Sequence, residues 1–148
     1  MKVIRAQLAD ITQAAPLFAA YREFYGEPYD LESSATFLVS RLARDQSIVL
    51  IARDDADAPV GFAQIYPAFS STRLAPIWIL NDLFVAEQAR GTGAADALLE
   101  TASKLAVEAG VIAIELATAH TNLRAQAVYD RSGYAVDEVY QHYAKQLP

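Results

Sequence analysis

The run Ile77-Trp78-Ile79-Leu80-Asn81-Asp82-Leu83-Phe84-Val85 constrains this chain more than any other segment, because a glycine loop and a helical pattern lie directly after it. The run is too apolar for a half-exposed strand and belongs in the middle of a sheet. Gln88-Ala89-Arg90-Gly91-Thr92-Gly93 comes next, and then Ala94, Ala97, Leu98, Thr101, Ala102, Leu105 and Ala109 fall at helical spacing, with Gly110 placed to end the helix. Val111 to Ala117 is a further buried strand. Strand, helix and strand in this order predict a right-handed parallel crossover.

The flanking segments complete the sheet. Lys2 to Gln7 reads as a strand, Asp10 as the N-cap of a helix reaching about Tyr25, and Gly26-Glu27-Pro28 as its break. Asp30 caps a second helix to about Ala43. Ser47 to Arg53 and Val60 to Tyr66 flank an Asp- and Pro-containing loop, which predicts an antiparallel hairpin. A helix from Asn122 to Arg131 ends near Gly133, and Val136 to Gln146 reads as a last extended stretch. The order is β-α-α-β-β-β-α-β-α-β, an α/β (α+β) mixed sheet with central strands four and five parallel. Where those two strands splay apart, a crevice opens at their C-terminal ends, the usual ligand position in open sheets.

A chain of 148 residues suits a single domain, 1–148. With no Cys, disulfides, thiolate metal sites and a Cys-bound covalent intermediate are excluded. No apolar stretch approaches the ~18–20 residues of a membrane span, so a soluble cytoplasmic protein is expected, without a membrane partner. The net charge of −6 disfavours nucleic acid and is compatible with a cationic substrate. His120 and His142 are the only histidines and lack metal-ligand spacing, so no metal is expected.

Glycines before a helix start concentrate backbone N–H donors at the positive end of the helix dipole, which favours a phosphate-bearing ligand; Arg90 would add a charge-assisted contact. The plainer reading is a turn. Three familiar phosphate loops fail against the letters. Asp96 stands where a dinucleotide fingerprint needs a small residue, no Lys follows the glycines as a P-loop requires, and a kinase needs about twice the chain.

What remains is Gln/Arg-x-x-Gly-x-Gly/Ala, and the segment Leu83 to Leu99 resembles the acetyl-CoA loop of the GNAT superfamily of N-acetyltransferases. Asn122-x-x-Ala125-x-x-Val128-Tyr129-x-x-x-Gly133-Tyr134 is similar to that family's next motif, and the element order matches too. The strand Trp78 to Val85 and the ending Val139-Tyr140-Gln141-His142-Tyr143 resemble most the branch that includes yeast histone and polyamine acetyltransferases. The resemblance implies that the loop from Gln88 through Ala89, Arg90, Gly91, Thr92, Gly93 and Ala94 to Ala95 holds the pyrophosphate of acetyl-CoA. Backbone at Leu83, Phe84 and Val85 would pair with the pantetheine arm, Asn122 would touch it, and Tyr129 would face the thioester sulfur. Ala95 replaces a bulkier residue or Gly, a minor departure.

Without Cys the economical mechanism is direct attack by an amine on bound acetyl-CoA, favoured by orientation. A primary amine with a pKa near 10.4 is about 99.9% protonated at pH 7, and neutralising it costs on the order of 4–5 kcal/mol. Tyr129 is the candidate acid for the departing thiolate, the alternative being a Tyr that packs on the sheet. Asp82 is the candidate base, the alternative being a carboxylate that bonds a loop. Asn81 stands where some family members carry Glu, so a water chain ending at Asp82, or uptake of neutral amine, must replace direct deprotonation there. Tyr21, Glu23, Tyr25, Glu27, Tyr29, Asp30 and Glu32 form either an acceptor mouth suited to ammonium or an ordinary solvated loop. Acceptors in view are a small-molecule or peptide amine: a small amine, polyamine or lysine side chain. The alternative function is a non-catalytic acyl-CoA sensor, and the apolar last stretch with Val139, Tyr140 and Tyr143 is a candidate edge for homodimer pairing.

Overall fold

A computed structural model describes residues 1–148, which fall into two units, Met1–Ala117 and Thr118–Pro148. The first holds one sheet in the order β1 (Lys2–Arg5), β2 (Ile48–Arg53), β3 (Pro59–Ser70), β4 (Ala75–Val85) and β5 (Ile114–Glu115). The first three pairings are antiparallel and β4–β5 is parallel, as the crossover through α3 (Ala94–Glu108) requires. Helices α1 (Ile11–Phe24) and α2 (Leu31–Leu42) separate β1 from β2. No helix is long and apolar enough to cross a membrane.

Local chemistry explains the boundaries. Asp30 caps α2 through its carboxylate, which accepts the Ser33 N–H at 2.9 Å, and Ser33's bonds hold that carboxyl below its ordinary range. Asp10 stands at the N-cap of α1 as expected, but its carboxylate makes no capping bond to that helix. It closes a preceding 3-10 turn, Leu8–Asp10, by accepting the Gln7 N–H at 2.8 Å. In the β2–β3 hairpin Asp54 accepts the N–H groups of Ala56 and Ala58, both at 2.9 Å, which turns the chain.

The sheet is covered on both faces. Ile11, Ala14, Ala15, Leu17 and Phe18 of α1 and Leu38 of α2 pack with Val49, Ile51 and Phe62. Leu98, Leu99, Ala102 and Ala106 make α3's buried stripe, and Leu98 reaches the β3 backbone at Gly61. An uncovered β2 would alternate in polarity; Ile48 to Ala52 is fully buried, and reads as one apolar run.

Two expected strands are altered. The buried strand from Val111 to Ala117 is reduced to a ladder in which Trp78 and Ile79 face Ile114 and Glu115, and Ile112 is exposed. The β3–β4 register slips between Gln64 and Ile65, which leaves Asn81 as the extra residue of a β-bulge. A bulge bends its strand, and the ladder to β5 ends two residues before it. From Leu80 to Val85 the β5 side of β4 therefore carries no strand pairing, which is the splay predicted for strands four and five.

The second unit contains α4 (Leu123–Arg131), capped by Asn122, whose side chain accepts the Ala125 N–H at 3.2 Å. Gln126 Nε2 donates to the carbonyls of Ala119 and His120 at 3.0 and 3.1 Å, tying down the preceding loop. The terminal strand expected over Val136 to Gln146 does not form. Asp137 Oδ1 accepts the N–H groups of Val139 and Tyr140 at 2.8 and 2.9 Å, so a local carboxylate turn takes the donors a ladder would need.

Candidate active site

β4 feeds the glycine loop through a short 3-10 turn, Glu87–Ala89, whose buried Ala89 anchors it. Gly91 and Gly93 have φ values of 83° and 88°, a region costly for residues with a Cβ, and Gly93 is the N-cap of α3. No backbone carbonyl accepts the N–H groups of Gly91, Gly93, Ala94 or Ala95, and an ideal Cβ on either glycine meets nothing within 4 Å. Donors at the positive end of a 15-residue helix, with open space before them, fit the diphosphate of coenzyme A.

The other loop residues have different work. Thr92 Oγ1 donates to the Ala89 carbonyl at 2.7 Å, so its hydroxyl closes the loop. Arg90 Nε donates to the Val85 carbonyl at 3.3 Å, and its guanidinium lies 5.9 Å from the centre of the Phe24 ring. Arg90 thus joins the end of α1 to the end of β4. Gln88 is exposed at the loop surface.

On β4, Leu83, Phe84 and Val85 pair with Ala63, Phe62 and Gly61 on one side, and their β5 side lacks a strand partner. Backbone in this state fits an extended amide-bearing arm added as a strand. The fit depends on Gly61, where a Cβ would stand 3.0 Å from the Phe84 carbonyl oxygen.

Asp82 lies on the α1 face of the sheet and is 4% exposed. Gln64 Nε2 donates to its Oδ2 at 2.8 Å and Asn81 Nδ2 to its Oδ1 at 3.1 Å. Burial pushes the Asp82 carboxyl up from its ordinary value, while hydrogen bonds from Gln64, Tyr21 and Asn81 pull it down. Tyr66, the next residue on this face of β3, is pushed up to about 12 by burial and by the Asp82 charge, against a lowering influence from Arg41. Gln64 is the functional residue that pattern reading passes over. Its signal is a lone amide inside the apolar run Val60 to Tyr66.

Asn122 and Tyr129 belong to the second unit. The Tyr129 ring meets Tyr134 edge-on at 5.9 Å, and burial raises the Tyr134 phenol. Asn122 spends its carbonyl oxygen on the α4 cap. His120 and His142 are exposed, and no group of three or more His, Cys, Asp or Glu is placed to hold a metal ion.

Comparison with known proteins agrees with this geometry. The model of the acetyltransferase (GNAT) family matches residues 14–134. An uncharacterized N-acetyltransferase of Bacillus subtilis, YhfO, is 40% identical over 148 residues, covering 100% of this chain and 99% of that protein. The D-amino-acid N-acetyltransferase HPA3 of Saccharomyces cerevisiae is 35% identical over 80 residues, 54% of this chain and 50% of that protein. The crystal structure of a probable acetyltransferase superposes with a TM-score of 0.94 at 40% identity, covering 100% of this chain and 99% of that one.

Proposed function

The chain belongs to the GNAT family of acetyltransferases, and on that premise we propose that it moves an acetyl group from acetyl-CoA directly to a primary amine within a ternary complex. The observation that carries this reading is the set of N–H groups at Gly91, Gly93, Ala94 and Ala95 that no backbone carbonyl accepts, next in sequence to the edge of β4 that has no strand partner. Acetyl-CoA supplies an activated thioester. Leu83, Phe84 and Val85 orient the arm that carries it, and the loop amides hold its diphosphate without a metal. Asp82 receives the ammonium proton, and the second N–H proton, lost as the amide forms, replaces the one that Tyr129 donates to the departing thiolate.

Acceptors consistent with this scheme are a small amine, a polyamine or a lysine side chain. The yeast relative, a D-amino-acid N-acetyltransferase, supports the small amine. We also place the protein in the cytoplasm and read it as a homodimer, which the 78–85% exposure of Val136, Val139, Tyr140 and Tyr143 supports. Following free thiol while acetyl-CoA is mixed with a panel of primary amines tests the function. At least one amine is expected to release CoA and become acetylated. Tight CoA binding with no thiol release for any acceptor would instead identify a sensor module.

A further inference from the structure

We propose that the Tyr21 phenol carries the proton from the acceptor's ammonium to Asp82, making Tyr21 a catalytic residue contributed by α1. The proposal rests on the acetyl-transfer reading above and adds to it the path of the first proton. Asp82 is enclosed: it is 4% exposed and both carboxylate oxygens are engaged, by Gln64 at 2.8 Å and Asn81 at 3.1 Å. A base in that position needs an intermediary. Tyr21 is half-buried, its hydroxyl donates to the Asn81 carbonyl oxygen at 3.5 Å, and it stands near enough to the neighbouring Asp82 carboxyl to pull that group down.

The ring is held so that this hydroxyl stays beside Asn81 and Asp82. Phe62 and Phe84 meet it edge-on from the sheet at 5.9 and 6.3 Å, Tyr25 from the helix end at 4.9 Å, and Phe18 stacks at 6.4 Å. The other titratable group facing Asp82 is Tyr66 on β3, on which the Arg41 charge of α2 also acts. Tyr66, at about 12, keeps its proton.

The step balances. The Tyr21 O–H bond breaks toward Asp82 as an ammonium N–H bond breaks toward Tyr21. The nitrogen keeps its electron pair, the phenol ends neutral, and Asp82 ends as the acid. After transfer, Asp82's proton returns to solvent by the same route.

The test compares an alkylamine with trifluoroethylamine, a weakly basic amine already neutral at pH 7, in the wild type and in Tyr21→Phe. For the alkylamine, kcat/KM is expected to fall about a hundredfold and the residual rate to climb with pH through the amine's own ionisation. For trifluoroethylamine it should change by less than about threefold, because no ammonium proton has to be removed before attack. Asp82→Asn, behind the same phenol, should show the same split between amines. Equal losses for both amines, or no loss for either, would overturn the proton path while leaving acetyl transfer standing. A wild type that releases no thiol with any amine would overturn both.

Discussion

Gln64 reaches across the β3–β4 ladder and donates its amide N–H to Asp82 at 2.8 Å, while its own carbonyl oxygen, fully buried, has no partner. The pair sits where β4 bulges at Asn81, so one irregularity in the strand coincides with one buried carboxylate. A buried charge held by a neutral amide is costly to folding, and a site with that cost is a candidate for function.

Asp82→Asn is therefore expected to lower turnover of alkylamines about a hundredfold without destabilising the protein. Burial lifts the Asp82 carboxyl above its ordinary 3.8, so the folded state holds that proton more tightly than the unfolded chain. Below the ordinary value both states are protonated and the group contributes nothing. As pH rises through that value and then the native one, the unfolded chain sheds its proton first, and folding loses free energy. The amide removes this loss, and Gln64 can turn its orphan oxygen toward the new N–H. Thermal melts should show Tm equal to or above wild type at pH 7, with the difference shrinking toward pH 4. A Tm several degrees lower at pH 7 would contradict this.

Gly61→Ala should damage cofactor binding from the far side of the strand. Its Cβ would lie 3.0 Å from the Phe84 carbonyl oxygen and 3.3 Å from Val85 Cγ2. The backbone must yield at the residues assigned to the pantetheine arm, with a stability loss of about 1–3 kcal/mol. Urea unfolding and KM for acetyl-CoA measure the two effects, and both are expected to worsen.

Gly91→Val separates loop strain from ligand contact. At a φ of 83° the valine costs about 1–2 kcal/mol of stability, yet it meets no protein atom, since nothing lies within 4 Å of an ideal Cβ. The side chain instead fills the space before the amides, so acetyl-CoA affinity should drop by at least about tenfold. Calorimetric titration giving an unchanged Kd would remove the loop from the diphosphate site.

Tyr129→Phe is expected to lower kcat by about a hundredfold or more and to shift the acetyl-CoA Kd by less than about twofold, the pattern of a contact needed mainly in the transition state. Equal kcat in the variant would remove Tyr129 from the mechanism.

The sheet order, the parallel crossover and the glycine loop are legible in the sequence because each rests on local rules: β4 and α3 have unmixed periodicity, and Asp30 and Asn122 cap where cap residues should. The bulge is not legible, since Asn81-Asp82 in an apolar run signals only that polarity must be satisfied. Its partner Gln64 is distant in sequence, and a lone amide in the run Val60 to Tyr66 does not say which group it meets. The terminal strand fails for a related reason: Val136 to Tyr143 has strand composition, but Asp137 captures two backbone donors within three residues. Tyr21 is visible twice, as a core position of α1 and as part of the aromatic cluster, and only the folded contact with β4 joins those roles.

Direct transfer without a covalent enzyme intermediate is tested most sharply by a single turnover. Protein and acetyl-CoA at equal concentrations are mixed with excess primary amine, quenched over time, and weighed by mass spectrometry. The predicted result is acetylated amine appearing in step with free CoA while the protein mass never changes. An acetylated protein preceding the product, or CoA still acetylated with every amine tried, would contradict the account.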